Sequence, residues 1–240
     1  MTTNVYDRES GFLTSDSRWS FRTDFGVLYV DDTGFDKIEE ARGNAFLFAG
    51  DSRVIQSWKD WLKADPISSA GRPTQEGIAV LIAETATRSM IYHYGQDIMW
   101  EANGGWTQSF AGSGAMYAAH CWTQNRCARR AVDSAKMYDQ FSGGEVKFFE
   151  LSSGSHNLKN DIEVTSLGKA FLGKGMVMYH ANSNPIPLQE ALKTDPRVAQ
   201  ISEQIANGQR SLSAPCDAMY NKPTKQDDLR LNAALDRIFG

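Results

Sequence analysis

The chain has 240 residues, 41% hydrophobic and 22% charged, with a net charge of -4, which is enough to bury a sizeable core without disulfides or metal. Its mild acidity is spread along the sequence, the Arg129-Arg130 pair is too short to form a basic stripe, and no apolar run approaches bilayer length, so neither nucleic acid nor a membrane is expected as a partner. Cys121, Cys127 and Cys216 are odd in number and lack metal-ligand spacing, and the N-terminus carries no secretory pattern, so a cytoplasmic location is expected.

Met1 is followed by Thr2, a residue small enough for the initiator methionine to be trimmed. Trimming would leave a hydroxyl and an α-amino group on one residue. Residues 4–6 and 11–15 read as short strands around a polar turn, and 25–30 and 45–49 as two further strands. From 51 to 64, Val54, Ile55, Trp58, Trp61 and Leu62 recur at helical spacing, with Asp51 or Ser52 as a cap and Asp65-Pro66 as a stop. A loop rich in Ser, Gly and Pro (68–74) precedes strands at 78–83 and 90–94. Residues 97–100 and 106–110 form a hairpin across Asn103-Gly104-Gly105.

Two helices are predicted at 115–125 and 128–140, ended by Gly143-Gly144, and a strand at 146–151. This order of elements suggests two sheets enclosed by helices, a layered α+β sandwich. Beyond residue 171 the texture changes. Residues 182–187 read as a linker, 188–206 as a helix interrupted at Asp195-Pro196, and 227–239 as a short amphipathic helix. Residues 172–240 are therefore expected as a mostly helical C-terminal extension of a 1–171 domain, packed on that core or on a neighbouring subunit, because they hold too few apolar residues for a core of their own.

Three features carry chemical interest together: the start Met1-Thr2-Thr3, Gly112-Ser113-Gly114 opening a helix, and Asp139 to Gly144 closing one. With Ser15-Asp16-Ser17-Arg18, Phe35-Asp36-Lys37-Ile38 and Ala49-Gly50, they follow an order and spacing that resembles the proteasome β-subunit and HslV peptidase family, over about residues 2–151 and on to about 170. Within that family the long tail is more similar to a divergent bacterial proteasome homologue. The resemblance implies a four-layer αββα sandwich of the N-terminal nucleophile (Ntn) hydrolase type.

A threonine hydroxyl is a poor nucleophile near neutral pH unless a base lies within hydrogen-bond reach, and a free N-terminal amine, with a pKa near about 8, is such a base on the same residue. The resemblance implies Thr2 as nucleophile, Lys37 as the positive charge beside it, and Asp16 as the residue orienting Lys37. Ser113, Asp139 and Ser142 would hold the α-amino group, and the Gly50 N–H would face the developing oxyanion. Phe48 falls where the family lines its main specificity pocket, so a shallow pocket favouring small side chains is expected. Plainer readings exist for each: a trimmed terminus for Thr2, a solvated Asp36-Lys37 pair, a turn at Asp16, a helix cap at Ser113, a cap or ion pair at Asp139.

No cofactor is expected. His93, His120, His156 and His180 are far apart without metal-ligand spacing, and Gly112-Ser113-Gly114 lacks the third glycine and the acidic residue of a dinucleotide-binding turn. The resemblance further implies a homo-oligomeric ring or stacked double ring, an ATP-dependent unfoldase partner and an unfolded polypeptide substrate. Two alternatives keep the same fold: a catalytically inactive ring scaffold, and an Ntn amidase acting on small amides.

Overall fold

The computed structural model describes residues 2–64, 71–160 and 162–240. Met1, Asp65-Pro66 and the first part of the 68–74 loop, all used in the sequence reading, lie outside these. The chain runs β1 (Asn4–Asp7), β2 (Phe12–Ser15), β3 (Trp19–Arg22), β4 (Gly26–Val30), β5 (Ile38–Ala41), β6 (Asn44–Asp51), α1 (Ser52–Lys63), β7 (Ile78–Glu84), β8 (Met90–Tyr94), β9 (Ile98–Ala102) and β10 (Gly105–Ala111). It continues through α2 (Ala115–Asn125), α3 (Ala128–Tyr138), β11 (Lys147–Glu150), α4 (Val164–Lys174), β12 (Met176–Tyr179) and β13 (Asn182–Pro187). It closes with α5 (Leu188–Thr194), α6 (Pro196–Ala206), β14 (Ser213–Ala214), a 3-10 turn at Asp217–Met219 and α7 (Lys225–Phe239).

This is an α+β fold with two antiparallel sheets. Five strands run in the order β11-β2-β1-β10-β9, and nine in the order β13-β12-β4-β3-β14-β6-β7-β8 with β5 paired to β6. Alternation along each strand divides the side chains between two faces. On β6 and β7, Leu47 and Leu81 join Tyr6 and Leu13 of the other sheet in one cluster, whereas Phe46, Phe48, Val80 and Ile82 enter a larger cluster with Trp58 and Trp61 of α1. Burial on both faces explains why 45–49 and 78–83 read as unbroken apolar runs. On the smaller sheet, Val5 and Phe110 pack instead with Ala118 and Trp122 of α2 and Ala131 and Val132 of α3.

Helix boundaries follow local chemistry. Asp51 caps α1 by accepting from the Arg53 N–H at 2.8 Å, and Asp195 caps α6 with Pro196 in its first turn. A reciprocal Thr224–Asp227 capping box starts α7. Among the described residues no helix is long and apolar enough to cross a membrane.

Four short strands, β3, β5, β12 and β14, were not expected from the sequence. The C-terminal third also differs from its reading. The boundary at 171/172 falls inside α4, and 182–187 is not a linker but β13, an edge strand paired to β12. Pro185 and Pro187 disguised it, since proline is tolerated on an edge where no ladder donor is needed. Leu188, Val198, Leu212 and Leu231 enter the main core, so this region extends the sheet as well as covering it.

Candidate active site

β1 enters its sheet directly after Thr2 and Thr3, and its first residue fixes their position. The Asn4 side-chain amide donates to the Phe48 carbonyl of β6 at 2.9 Å, while its oxygen accepts from the Ser15 hydroxyl at 2.7 Å. The N-terminal end of β1 is thereby tied to both sheets, and Thr2 and Thr3 are completely buried.

The Thr2 hydroxyl sits between an acceptor and a donor. It donates to Asp16 Oδ1 in a short hydrogen bond and accepts from Lys37 Nζ at 2.7 Å. Lys37 Nζ also donates to the Asp16 carbonyl at 2.8 Å and to Asp16 Oδ1 at 3.0 Å. Asp16 Oδ1 takes the Thr3 N–H at 2.9 Å, and Oδ2 takes the N–H groups of Arg18 and Gly143, each at 3.1 Å. The Lys37 and Asp16 side chains have no exposed surface. Burial pushes the Lys37 pKa below its ordinary value against the opposing pull of Asp16, which makes the ammonium a ready proton donor.

A second polar chain joins the other sequence-predicted residues. Asp139 Oδ2 accepts from Ser113 Oγ at 2.5 Å and from Ser142 Oγ at 2.6 Å. Ser142 Oγ lies 2.7 Å from the hydroxyl of Thr3, not of Thr2. Thr3 is thus the link between the two groups, and the sequence reading gave it no role. Ser113 is not a helix cap, since Gly114 holds the N-cap position of α2.

Glycine in this turn is a matter of space. Gly112 has φ +91, and a Cβ there would run into the Thr2 carbonyl; a Cβ on Gly114 would strike the Thr3 hydroxyl. The Gly114 N–H lies 3.3 Å from that same Thr2 carbonyl, on which it donates. Asp97 supports the turn from behind by accepting the Gly112 N–H at 2.5 Å. The sequence offered no signal for Asp97.

Gly50 lies within the ladder of the larger sheet, and Phe48 sits differently from expectation. Gly50 has φ +122 and is paired on both sides, with Ile78 of β7 and Ala214 of β14. Phe48 is fully buried, stacked with Phe46 at 6.2 Å and tilted against Trp58 at 6.0 Å. Its ring is core packing, which corrects the expectation that it walls an open pocket: the position alternates onto the helix-covered face of β6, where large aromatics fill the space. Among the described residues no group of three or more His, Cys, Asp or Glu side chains could hold a metal ion.

No family model matches the chain, and no curated protein sequence matches it. Among solved structures, that of Thiobacillus denitrificans BPH in complex with epoxomicin aligns with 62% of this chain and 99% of its own at 18% identity and a TM-score of 0.43. A second structure of Thiobacillus denitrificans BPH aligns with 64% of this chain and all of its own at 16% identity and a TM-score of 0.42.

Proposed function

We propose that the chain is a proteasome-type Ntn hydrolase, a four-layer αββα sandwich, acting as a threonine peptidase through Thr2 once Met1 is removed. The observation that carries this reading is the buried contact of Lys37 Nζ with Thr2 Oγ at 2.7 Å, with Asp16 bonded to both. A lysine is rarely buried without a partner; this one is paired to Asp16 and also donates to the Thr2 hydroxyl.

In the proposed reaction the α-amino nitrogen of Thr2 takes the hydroxyl proton as Oγ bonds to the scissile carbonyl carbon. The carbonyl oxygen becomes the oxyanion, and the same nitrogen returns the proton to the leaving amine as the C–N bond breaks. Water then reverses the sequence on the ester. Lys37 stabilises negative charge on Oγ, and Asp16 holds Lys37. Asp139, Ser113 and Ser142 position Thr3 and, through it, the backbone of Thr2. Assignment of the oxyanion contact to Gly50 belongs to the same reading.

Assembly into a homo-oligomeric ring is part of this proposal, with unfolded polypeptide as substrate and an ATP-dependent unfoldase as partner. It is supported by Met116, Tyr117, Met137 and Tyr138, large side chains exposed on α2 and α3, since such patches commonly mark interfaces. A reducing cytoplasm fits the free state of Cys121, Cys127 and Cys216.

Intact-protein mass spectrometry with and without an epoxyketone tests the chemistry, because the adduct needs both the hydroxyl and the free amine of one residue. Loss of Met1 and gain of one inhibitor mass are expected. A protein that keeps Met1 and takes no adduct is not a threonine peptidase.

A further inference from the structure

The nine-stranded sheet is continuous only through a two-residue strand. β3 and β6 do not pair with each other; β14 lies between them, antiparallel to both. Ser213 stands opposite Ser20 on one side and Asp51 on the other, and Ala214 stands opposite Gly50. Without β14 the sheet would part into β13-β12-β4-β3 and β5-β6-β7-β8; β5 covers β6 from Asn44 to Leu47 and the Phe48 N–H donates to the Lys37 carbonyl, so the end of β6 at Gly50 and Asp51 faces β3 across a gap one strand wide. Such edges are templates for an extended chain. The gap adjoins the Thr2 site: Gly50 lies two residues beyond Phe48, whose carbonyl holds Asn4, itself two residues beyond Thr2.

We propose that residues 211–216 are a built-in occupant of a strand-addition slot beside Thr2, so that an extended polypeptide enters only when this segment leaves. The slot is read from geometry alone. Its consequence, a self-blocked peptidase, rests on the reading of Thr2 as nucleophile.

The segment is held at a few points. Ser211 Oγ donates to Asp51 at 2.7 Å, the Leu212 carbonyl accepts from the Ser52 N–H at 3.4 Å, and Ser213 Oγ donates to the Ser20 carbonyl at 3.3 Å. Leu212, Ala214 and Cys216 are buried on the core side. Pro215 biases Ala214 to extended backbone and, lacking an N–H, ends the ladder. The fit is imperfect in a telling place. Among the described residues the buried hydroxyls of Ser20 on β3 and of Ser52, which directly follows β6, have no hydrogen-bond partner, so polar groups in the residues that flank the segment are left unused.

The way out is open on one side. Residues 207–210 are exposed, and a cavity of about 460 Å³, bounded by Phe21, Arg53, Arg210, Ser213 and Tyr220, runs along the segment. Being tethered, the segment competes at an effective concentration on the order of millimolar or above, so a free peptide of equal fit loses to it. A small amide that needs no strand pairing escapes this competition.

The test uses the full chain carrying Thr2→Ala, which reads binding without turnover, and a fluorescent peptide copying residues 209–217 with serine in place of its cysteine. Affinity by anisotropy should rise at least tenfold when Leu212→Ala is added, because the buried anchor is lost. Ser213→Asp reaches the same end without hollowing the core, should Leu212→Ala fail to fold. Unchanged affinity in a variant with native circular dichroism overturns the proposal. On the unaltered chain, peptide at millimolar concentration should speed alkylation of Cys216; a peptide that binds without doing so sits elsewhere, and the slot is wrong. Epoxyketone adduct formation at Thr2 is scored separately, so tightened peptide binding with no adduct upholds the slot and removes only the peptidase reading.

Discussion

Lys37 Nζ donates to Thr2 Oγ at 2.7 Å from a side chain with no exposed surface, and its nearest counter-charge, Asp16 Oδ1, is 3.0 Å away. Three groups share one sealed space, so none can be altered alone without consequence for the other two. Lys37→Met removes the cation and leaves Asp16 with four of its donors. Breaking one side of a buried pair costs about 3–5 kcal/mol, and loss of a preorganised donor at the reacting oxygen slows chemistry by about 100-fold or more. Chemical denaturation and the rate of epoxyketone adduct formation measure the two effects. A variant with native stability and a native adduct rate would show that Lys37 has no part in either.

Close approach of the 112–114 turn to Thr2 and Thr3 yields a contrasting pair of substitutions. At Gly114 a Cβ would overlap the Thr3 hydroxyl, so Gly114→Ala should destabilise by about 1–3 kcal/mol, as overpacking does, and should depress reactivity at Thr2. Among the described residues a new Cβ on Gly168, inside α4, meets only the Ile205 carbonyl at 3.9 Å, so Gly168→Ala should stabilise by about 0.5–1 kcal/mol. Urea midpoints that move the same way for both would refute the steric account of Gly114.

Periodicity made much of this arrangement legible in the sequence. The runs at 45–49 and 78–83 stand out because β6 and β7 are buried on both faces, and α1, α2 and α3 show apolar stripes with caps or breaks at their ends. The resemblance singles out Thr2, Asp16 and Lys37, which do lie together, as do Ser113, Asp139 and Ser142. What stayed hidden depends on long-range pairing. β14 is two residues whose strand character comes from neighbours some 160 to 190 positions earlier, and no local pattern encodes that. No local pattern marks Thr3 either, whose partner Ser142 is 139 residues away. β13 was misread because its prolines signal a turn unless the strand is known to lie at an edge.

Phe48 separates a pocket role from a packing role. Its ring is fully buried against Phe46 and Trp58, so Phe48→Ala should open a core cavity and cost about 3–5 kcal/mol. Phe48→Leu, closer in volume, should recover most of that loss. Denaturation of both variants tests this, and a near-neutral Phe48→Ala would return the residue to the wall of an open pocket.

Cys216 gives a pH signature for the segment that fills the β3–β6 gap. Burial raises its thiol pKa from 9.0 to about 11, with backbone donors at Ala79 and Met219 opposing only in part. A pKa raised on folding means that the folded state keeps the proton longer than the unfolded chain. The contribution is therefore complete below pH 9, and it is lost as pH climbs to 11, a fall of about 2–3 kcal/mol. Lys37 and Lys59, whose pKa values burial lowers, slope the other way, so the informative quantity is the difference between the unaltered chain and Cys216→Ala. Urea denaturation at several pH values should show the extra alkaline loss in the unaltered chain alone. Equal loss in both would mean that the thiol ionises freely, as it would if residues 211–216 were already out of the gap.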